Sequence, residues 1–299
     1  MNLGISVDSG HARAVLMDAS GSIAAHADSM EHDVHDAIIA AARETLAGAN
    51  ASRPSAVGLS FPETDCRHWP PDLTFLTAAI GEQIPVRVLS TGNASALAES
   101  WYGSGKGVRN LIVFSIGPSA SAGIISNGAL LSGAHGLAGS VQWLALNPVE
   151  REDYRRMGCL EAEGGAAGIV RRLVWRIKSG DRSRVLDAAG GDFNAITLDM
   201  ILKHAHDNDG VAISVIRDTV KYLAMAVSNI ASVLDPELIV LGGILESSSD
   251  LLLDPIRQEC ARRMPPGIYE NVRIEVSQLG ADCAAMGAAR FAESGVQLP

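Results

Sequence analysis

The chain has 299 residues, a formal net charge of −10, 47% hydrophobic and 19% charged residues, which describes a globular α/β protein and excludes a disordered one. So acidic a protein has no positive field to hold a phosphate backbone, so no nucleic-acid partner is expected. There is no run of about 18 uncharged apolar residues and no basic-then-apolar leader, so no membrane partner and a cytoplasmic location are expected, with Cys66, Cys159, Cys260 and Cys283 as scattered reduced thiols.

The chain opens with three short apolar runs, "LGISV", "ARAVLMD" and "SIAAHA", broken by small turn residues, which predicts a strand meander. Residues 31–49 place Val34, Ile38, Ile39, Ala42 and Leu46 at helical spacing, and Gly48 and Asn50 stop that helix. "SAVGLSF" reads as a buried strand, "LTFLTAAIGEQI" as a helix, "PVRVLS" as a strand and "ASALAESWYG" as a helix. "GKGVRN" (105–110) crosses into a second lobe, which starts over with "LIVFSIG", "SAGIISN" and "ALLSGAHG" as a second meander. A long amphipathic helix is predicted over 211–234, followed by a strand in "DPELIVLGGI", a helix in "LLLDPIRQECARRM", a strand in "VRIEVSQL" and a closing helix in "CAAMGAARFAES". The same order of elements twice over implies two mixed α/β lobes: residues 1–105 with a returning C-terminal helix at about 286–299, and residues 106–285.

Three turns have the small residues that let backbone N–H groups approach a phosphate: "SVDSGH" with Ser6, Asp8 and Gly10, "SIGPSASAG" with Gly117 and Ser119, and "VLGGIL" with Gly242 and Gly243. Each follows a strand. Together with "STGNASALAE", "SAGIISNGALLSGAHGLAG", "GCLEAEGG" and "LGADCAAMGAARFA", they make the chain resemble the ROK family of bacterial sugar kinases and sugar-sensing repressors, within the actin-like ATPase (ribonuclease H-like) superfamily. The resemblance implies a two-lobed α/β fold, ATP with magnesium, a homodimer, and a family corner reading NDANAAALAE, whose Asp takes the proton from the attacking sugar hydroxyl.

Carried over position by position, most of that chemistry is missing. The general-base Asp becomes Thr91 and the Asn before it becomes Ser90, while Asn93 and Glu99 remain. In the first turn the family's Asp lies twelve positions before the acidic residue ending the second strand; here that position is Ser6, counted from Asp18. Pro118 removes a backbone donor from the second turn. In "GLAGSVQW" the sugar-gripping Glu becomes Ser140 and the His shared by the sugar and zinc sites becomes Trp143, for which cavity filling is expected. In the zinc loop Cys159 stays, but Glu152 and Tyr154 stand at the other cysteine positions, so no structural zinc and no other metal site are expected.

His135 beside the cleft is a candidate ligand contact, and Asp65 or Glu63 in "FPETDC" is a weaker candidate substitute base. The arginines at 151, 155, 156, 171, 172 and 176 read as a salt-bridged face, and "KHAHDNDG" as a solvated helix end. The expected function is a pseudokinase that binds a small molecule or a protein. The alternative is an ATP-dependent carbohydrate or cyclitol kinase with an atypical base. A repressor is disfavoured because the chain starts at the first phosphate strand.

Overall fold

The computed structural model describes residues 1–8, 10–49, 53–62, 73–81, 84–117 and 119–293. Strands β1 (Asn2–Asp8), β2 (His11–Met17) and β3 (Ile23–Met30) open the chain. They are followed by α1 (Val34–Gly48), β4 (Val57–Phe61), α2 (Thr74–Ile80), β5 (Val86–Ser90) and α3 (Thr91–Trp101). The strands form one sheet in the order β3-β2-β1-β4-β5, with an antiparallel hairpin side and a parallel side. Strands β6 (Leu111–Ile116), β7 (Ala120–Ser126), β8 (Ala129–Leu130), β9 (Leu238–Gly243) and β10 (Arg273–Val276) form a second sheet, ordered β10-β9-β6-β7-β8. The two orders match strand for strand, so the duplicated α/β architecture is present.

Between β8 and β9 come α4 (Glu152–Met157), α5 (Cys159–Gly164), α6 (Ala166–Lys178), α7 (Arg184–Ala188), α8 (Leu198–His206) and α9 (Gly210–Leu234). Then follow α10 (Ile244–Ser247), α11 (Ser249–Ala261), α12 (Pro266–Tyr269) and α13 (Cys283–Phe291). The stripe Ile216, Val220, Leu223 and Val227 seats α9 in the same core as Phe114 and Leu241 of the second sheet. Asp209 starts α9 by accepting hydrogen bonds from the N–H groups of Val211 and Ala212, as Asp33 does for α1 from those of His35 and Asp36.

Helix α3 is buried on every side, from Gly92 to Ser100, which explains its run of small residues. Against β7, a Cβ on Gly123 would stand 2.0 Å from the Gly92 carbonyl oxygen; against α13, a Cβ on Gly287 would stand 1.8 Å from the Ala94 carbonyl oxygen. On the first sheet, Gly4 and Gly58 let the backbone of α13 lie directly on β1 and β4. The last helix therefore returns to the first sheet and holds α3 between the two halves.

Several boundaries differ from the sequence reading: the closing helix, expected at about 286–299, spans Cys283–Phe291, and the helix in "LTFLTAAIGEQI" ends at Ile80, where Gly81 takes φ of +123°. The helix expected from Ala94 starts at Thr91, because Ser90 caps it three residues earlier. The third strand of the second meander ends at Leu130, where Gly133 and Gly136 take φ of +74° and +71° and break the extended chain.

Candidate functional site

The carboxyl ends of parallel strands in both sheets carry Asp8, Ser90, Gly117, Gly242 and Gly243 of the predicted site, the usual ligand position in such sheets. In the first turn Asp8 pairs with His11, with Gly10 at φ +82°. In the second, the Gly117 N–H donates to the Ser119 carbonyl at 3.2 Å. The third lies beside it: Ser115 is in register with Gly242 and Ile116 with Gly243, and a Cβ on Gly243 would stand 2.1 Å from the Ile116 carbonyl oxygen.

A residue without an assigned role in the sequence reading joins these turns. Glu161, on α5, accepts a 2.6 Å hydrogen bond from the Ala120 N–H at the start of β7. Burial pushes its carboxyl above the usual range; the Ala120 bond opposes that shift and the nearby Asp8 charge adds to it. Glu161 thus ties α5 to the start of β7 at the second turn, within electrostatic reach of Asp8 on the first sheet. Glu161 ends the quoted "GCLE" stretch, and its spacing in the sequence signals no pairing with Ala120. Only the approach of α5 to β7 reveals it.

At the corner, Ser60 sits beside Ser6 on neighbouring strands, and Ser90 beside Phe61. The Ser90 hydroxyl accepts from the Asn93 N–H at 3.3 Å and so is committed to capping α3. Among the described residues, the Thr91 hydroxyl, the Asn93 side-chain oxygen and the Ser60 hydroxyl are buried with no hydrogen-bond partner. Such orphaned polar atoms cost free energy, and here all three lie at one end of the sheet. Glu99, further along α3, is spent elsewhere, on Ser277 and Ser104.

In the sugar loop the Ser140 hydroxyl donates to the Leu137 carbonyl at 2.7 Å, so it is turned onto its own loop. Trp143, for which cavity filling is expected, is 39% exposed on this loop. His135 is exposed on the same loop. Asp65, Glu63 and Pro118 lie outside the described residues.

The zinc-loop positions do not make a donor set for zinc. Cys159 is buried, Glu152 is exposed, and the Tyr154 hydroxyl donates to the Glu163 carboxylate at 2.5 Å. Arg172 and Arg151 reach the same carboxylate at 2.8 and 3.2 Å. Burial pushes Glu163 up, but Tyr154, Arg172 and Arg151 outweigh burial and hold it below the ordinary range. Among the described residues no group of three or more His, Cys, Asp or Glu side chains is placed to hold a metal ion.

The arginine face is salt-bridged at Arg151, Arg155, Arg171, Arg172 and Arg176, to Glu163, Glu150, Asp153, Glu163 and Asp181 respectively. In "KHAHDNDG", His204 bonds the Met200 carbonyl, His206 pairs with Asp250, and Asp209 caps α9. No helix among the described residues is long and apolar enough to cross a membrane.

The sequence profile of the ROK family matches residues 68–294. A glucokinase of Halalkalibacterium halodurans is 30% identical over 208 residues, 69% of this chain and 62% of its own length. A xylose repressor of Caldicellulosiruptor bescii is 29% identical over 210 residues, 68% of this chain and 51% of its own. The chain thus matches about half to two thirds of the length of these relatives, whereas a glucokinase of Streptomyces coelicolor is 27% identical across 98% of both chains. Among solved structures, a ROK family glucokinase from Streptomyces griseus, in complex with glucose and AMPPNP, superposes with a TM-score of 0.82 at 24% identity, over 98% of this chain and 99% of its own.

Proposed function

This chain belongs to the ROK family, and from that premise we propose that it is a sugar-kinase homologue impaired in phosphoryl transfer, whose cleft binds a small ligand. The observation that carries this reading is Thr91. It stands at the corner where the resemblance places the general base, and a neutral hydroxyl has no useful basicity near pH 7. Among the described residues its buried hydroxyl has no partner, and neither has the Asn93 side-chain oxygen beside it, so the corner keeps hydrogen-bonding capacity for a ligand. Ser140 presents no carboxylate to a sugar, and its hydroxyl is already used. The protein is proposed to work without structural zinc, because Tyr154 and Glu163 pin the loop through an ion-paired network.

Calorimetry with magnesium-ATP and a panel of hexoses, N-acyl amino sugars and cyclitols, together with an ADP-release assay, tests the reading. Ligand binding without turnover supports it; phosphorylation of any member of the panel overturns it.

One observation favours a second reading, a kinase with an atypical base. Glu161 is a carboxyl in the cleft whose affinity for protons is raised by burial, as a general base near neutrality requires. In that case Glu161→Gln would abolish turnover and leave nucleotide binding in place. The Ala120 bond holds Glu161 at the phosphate turn, about three strand residues, or roughly 10 Å, from where β7 meets the corner at Gly92. That separation is why impairment is preferred.

A further inference from the structure

A cavity of about 700 Å³ opens between α6, α9 and the end of α11, and none of the turn, corner or sugar-loop residues lines it. Five cations face it: Arg151, Arg171, Arg172, Lys221 and Arg263. The carboxylates that pair with them are Glu163, Asp153, Asp218 and Glu259, so five positive charges meet four negative ones in a chain whose net charge is −10. Among the described residues Arg151 gives one hydrogen bond, to Glu163, and Lys221 one, to Asp218. Arg171 bonds Asp153 and the Ala162 carbonyl, Arg172 bonds Thr219 and Glu163, and Arg263 bonds Glu259, which leaves donors unspent chiefly on Arg151, Arg171 and Lys221. The wall also holds Tyr222 and the indole of Trp175, 66% exposed on α6. A large aromatic face left in water beside unspent cationic donors is the pairing that a ringed anion satisfies.

We infer that this cavity is a second ligand site, for a small organophosphate whose phosphate meets Arg151, Arg171 and Lys221 and whose sugar or base ring lies on Trp175. The site goes beyond the cleft reading and does not depend on it. Helix α5 connects the two places. Glu161 and Glu163, two residues apart, project to opposite sides of the helix. Glu161 holds the Ala120 N–H at the phosphate turn, and Glu163 lies in the cavity wall. A phosphate that draws Arg151 away from Glu163 therefore acts on the helix that also supports the cleft.

The test is calorimetry on the full chain with glucose 6-phosphate, AMP and inorganic phosphate, with tryptophan emission recorded in parallel. One of the two organophosphates is expected to bind and to change an emission component that Trp175→Phe removes. Lys221→Glu, at an exposed position of α9, is expected to weaken that binding about tenfold or more while leaving the circular dichroism unchanged. Binding sensitive to Trp143→Ala but not to Lys221→Glu would place the ligand in the cleft and overturn the inference. Absence of binding by all three compounds at millimolar concentration would also overturn it. Inorganic phosphate binding as tightly as both organophosphates would overturn the assignment of a ringed ligand. All readouts are of binding, so their failure leaves the question of phosphoryl transfer untouched.

Discussion

The Glu99 carboxylate accepts a 2.7 Å hydrogen bond from the Ser277 hydroxyl, joining the buried helix α3 to the chain just beyond β10. A second bond, 3.0 Å from the Ser104 N–H, completes the contact, and Glu99 has no solvent exposure. Burial raises its carboxyl; the Ser277 and Ser104 bonds work against that shift, and Glu275 adds to it. Glu246 on α10 is likewise raised by burial, with the Gly280 N–H opposing and Glu99 adding.

These shifts have a direction in pH. A carboxyl raised in the folded state keeps its proton where the unfolded chain has already lost it. Stability is then fully present below the unfolded value, about 4.3, and declines as pH rises through the raised folded value. Urea unfolding followed from pH 4 to pH 8 should show this decline, and Glu99→Gln should flatten it. Glu99→Ala, which strands the Ser277 hydroxyl and the Ser104 N–H, should cost about 2–3 kcal/mol.

The Tyr154–Glu163 contact predicts a metal-independent loop. Tyr154→Phe removes a donor from a buried carboxylate and should lower stability by roughly 1.5–3 kcal/mol in denaturant titration. A chelator should leave the melting temperature of the parent protein unchanged. A large drop with chelator would show that a metal holds the loop after all.

Close packing of the last helix gives a third expectation. A Cβ on Gly58 would stand 1.8 Å from the Ala288 carbonyl oxygen, so α13 must shift to admit even a methyl group. Gly58→Ala should cost at least about 1–3 kcal/mol, read as a lowered thermal midpoint. Gly267→Ala, with open space around the added carbon, serves as the contrasting control and should stay within about 0.5 kcal/mol of the parent.

Restoring the corner carboxylate alone should not restore chemistry. Thr91→Asp, singly or with Ser6→Asp, is expected to leave ADP release on hexoses at background. Ser140 still turns its hydroxyl to Leu137, and it brings no carboxylate to the loop. Turnover in the double variant would show that the loss is confined to these two positions.

The order of the turn and corner motifs was legible in the chain, because residue types within ordered motifs can be read without coordinates. The substitutions that the resemblance implies, of a carboxylate at Thr91, Ser6 and Ser140 and of a His at Trp143, can each be named from the chain. Glu161 was not, because its partner Ala120 lies 41 positions away and neither residue is unusual in its own segment. Where the resemblance places a zinc loop, Glu152 and Tyr154 are plain in the sequence, but the ion-paired network around Tyr154 depends on α6 bringing Arg172 alongside. The cavity beside Trp175 was hidden for the same reason, its arginines reading as a salt-bridged surface.

Periodicity, turn residues and the repeated order of elements determine two matching sheets, because local spacing states which face of each strand and helix must be buried. Which polar groups those faces bring together is another matter. Glu99 with Ser277, Glu161 with Ala120 and Tyr154 with Glu163 are hydrogen bonds between residues on separate elements, set by helix placement. Packing alone decides them, since hydrogen bonding and desolvation depend on distances that no local pattern encodes.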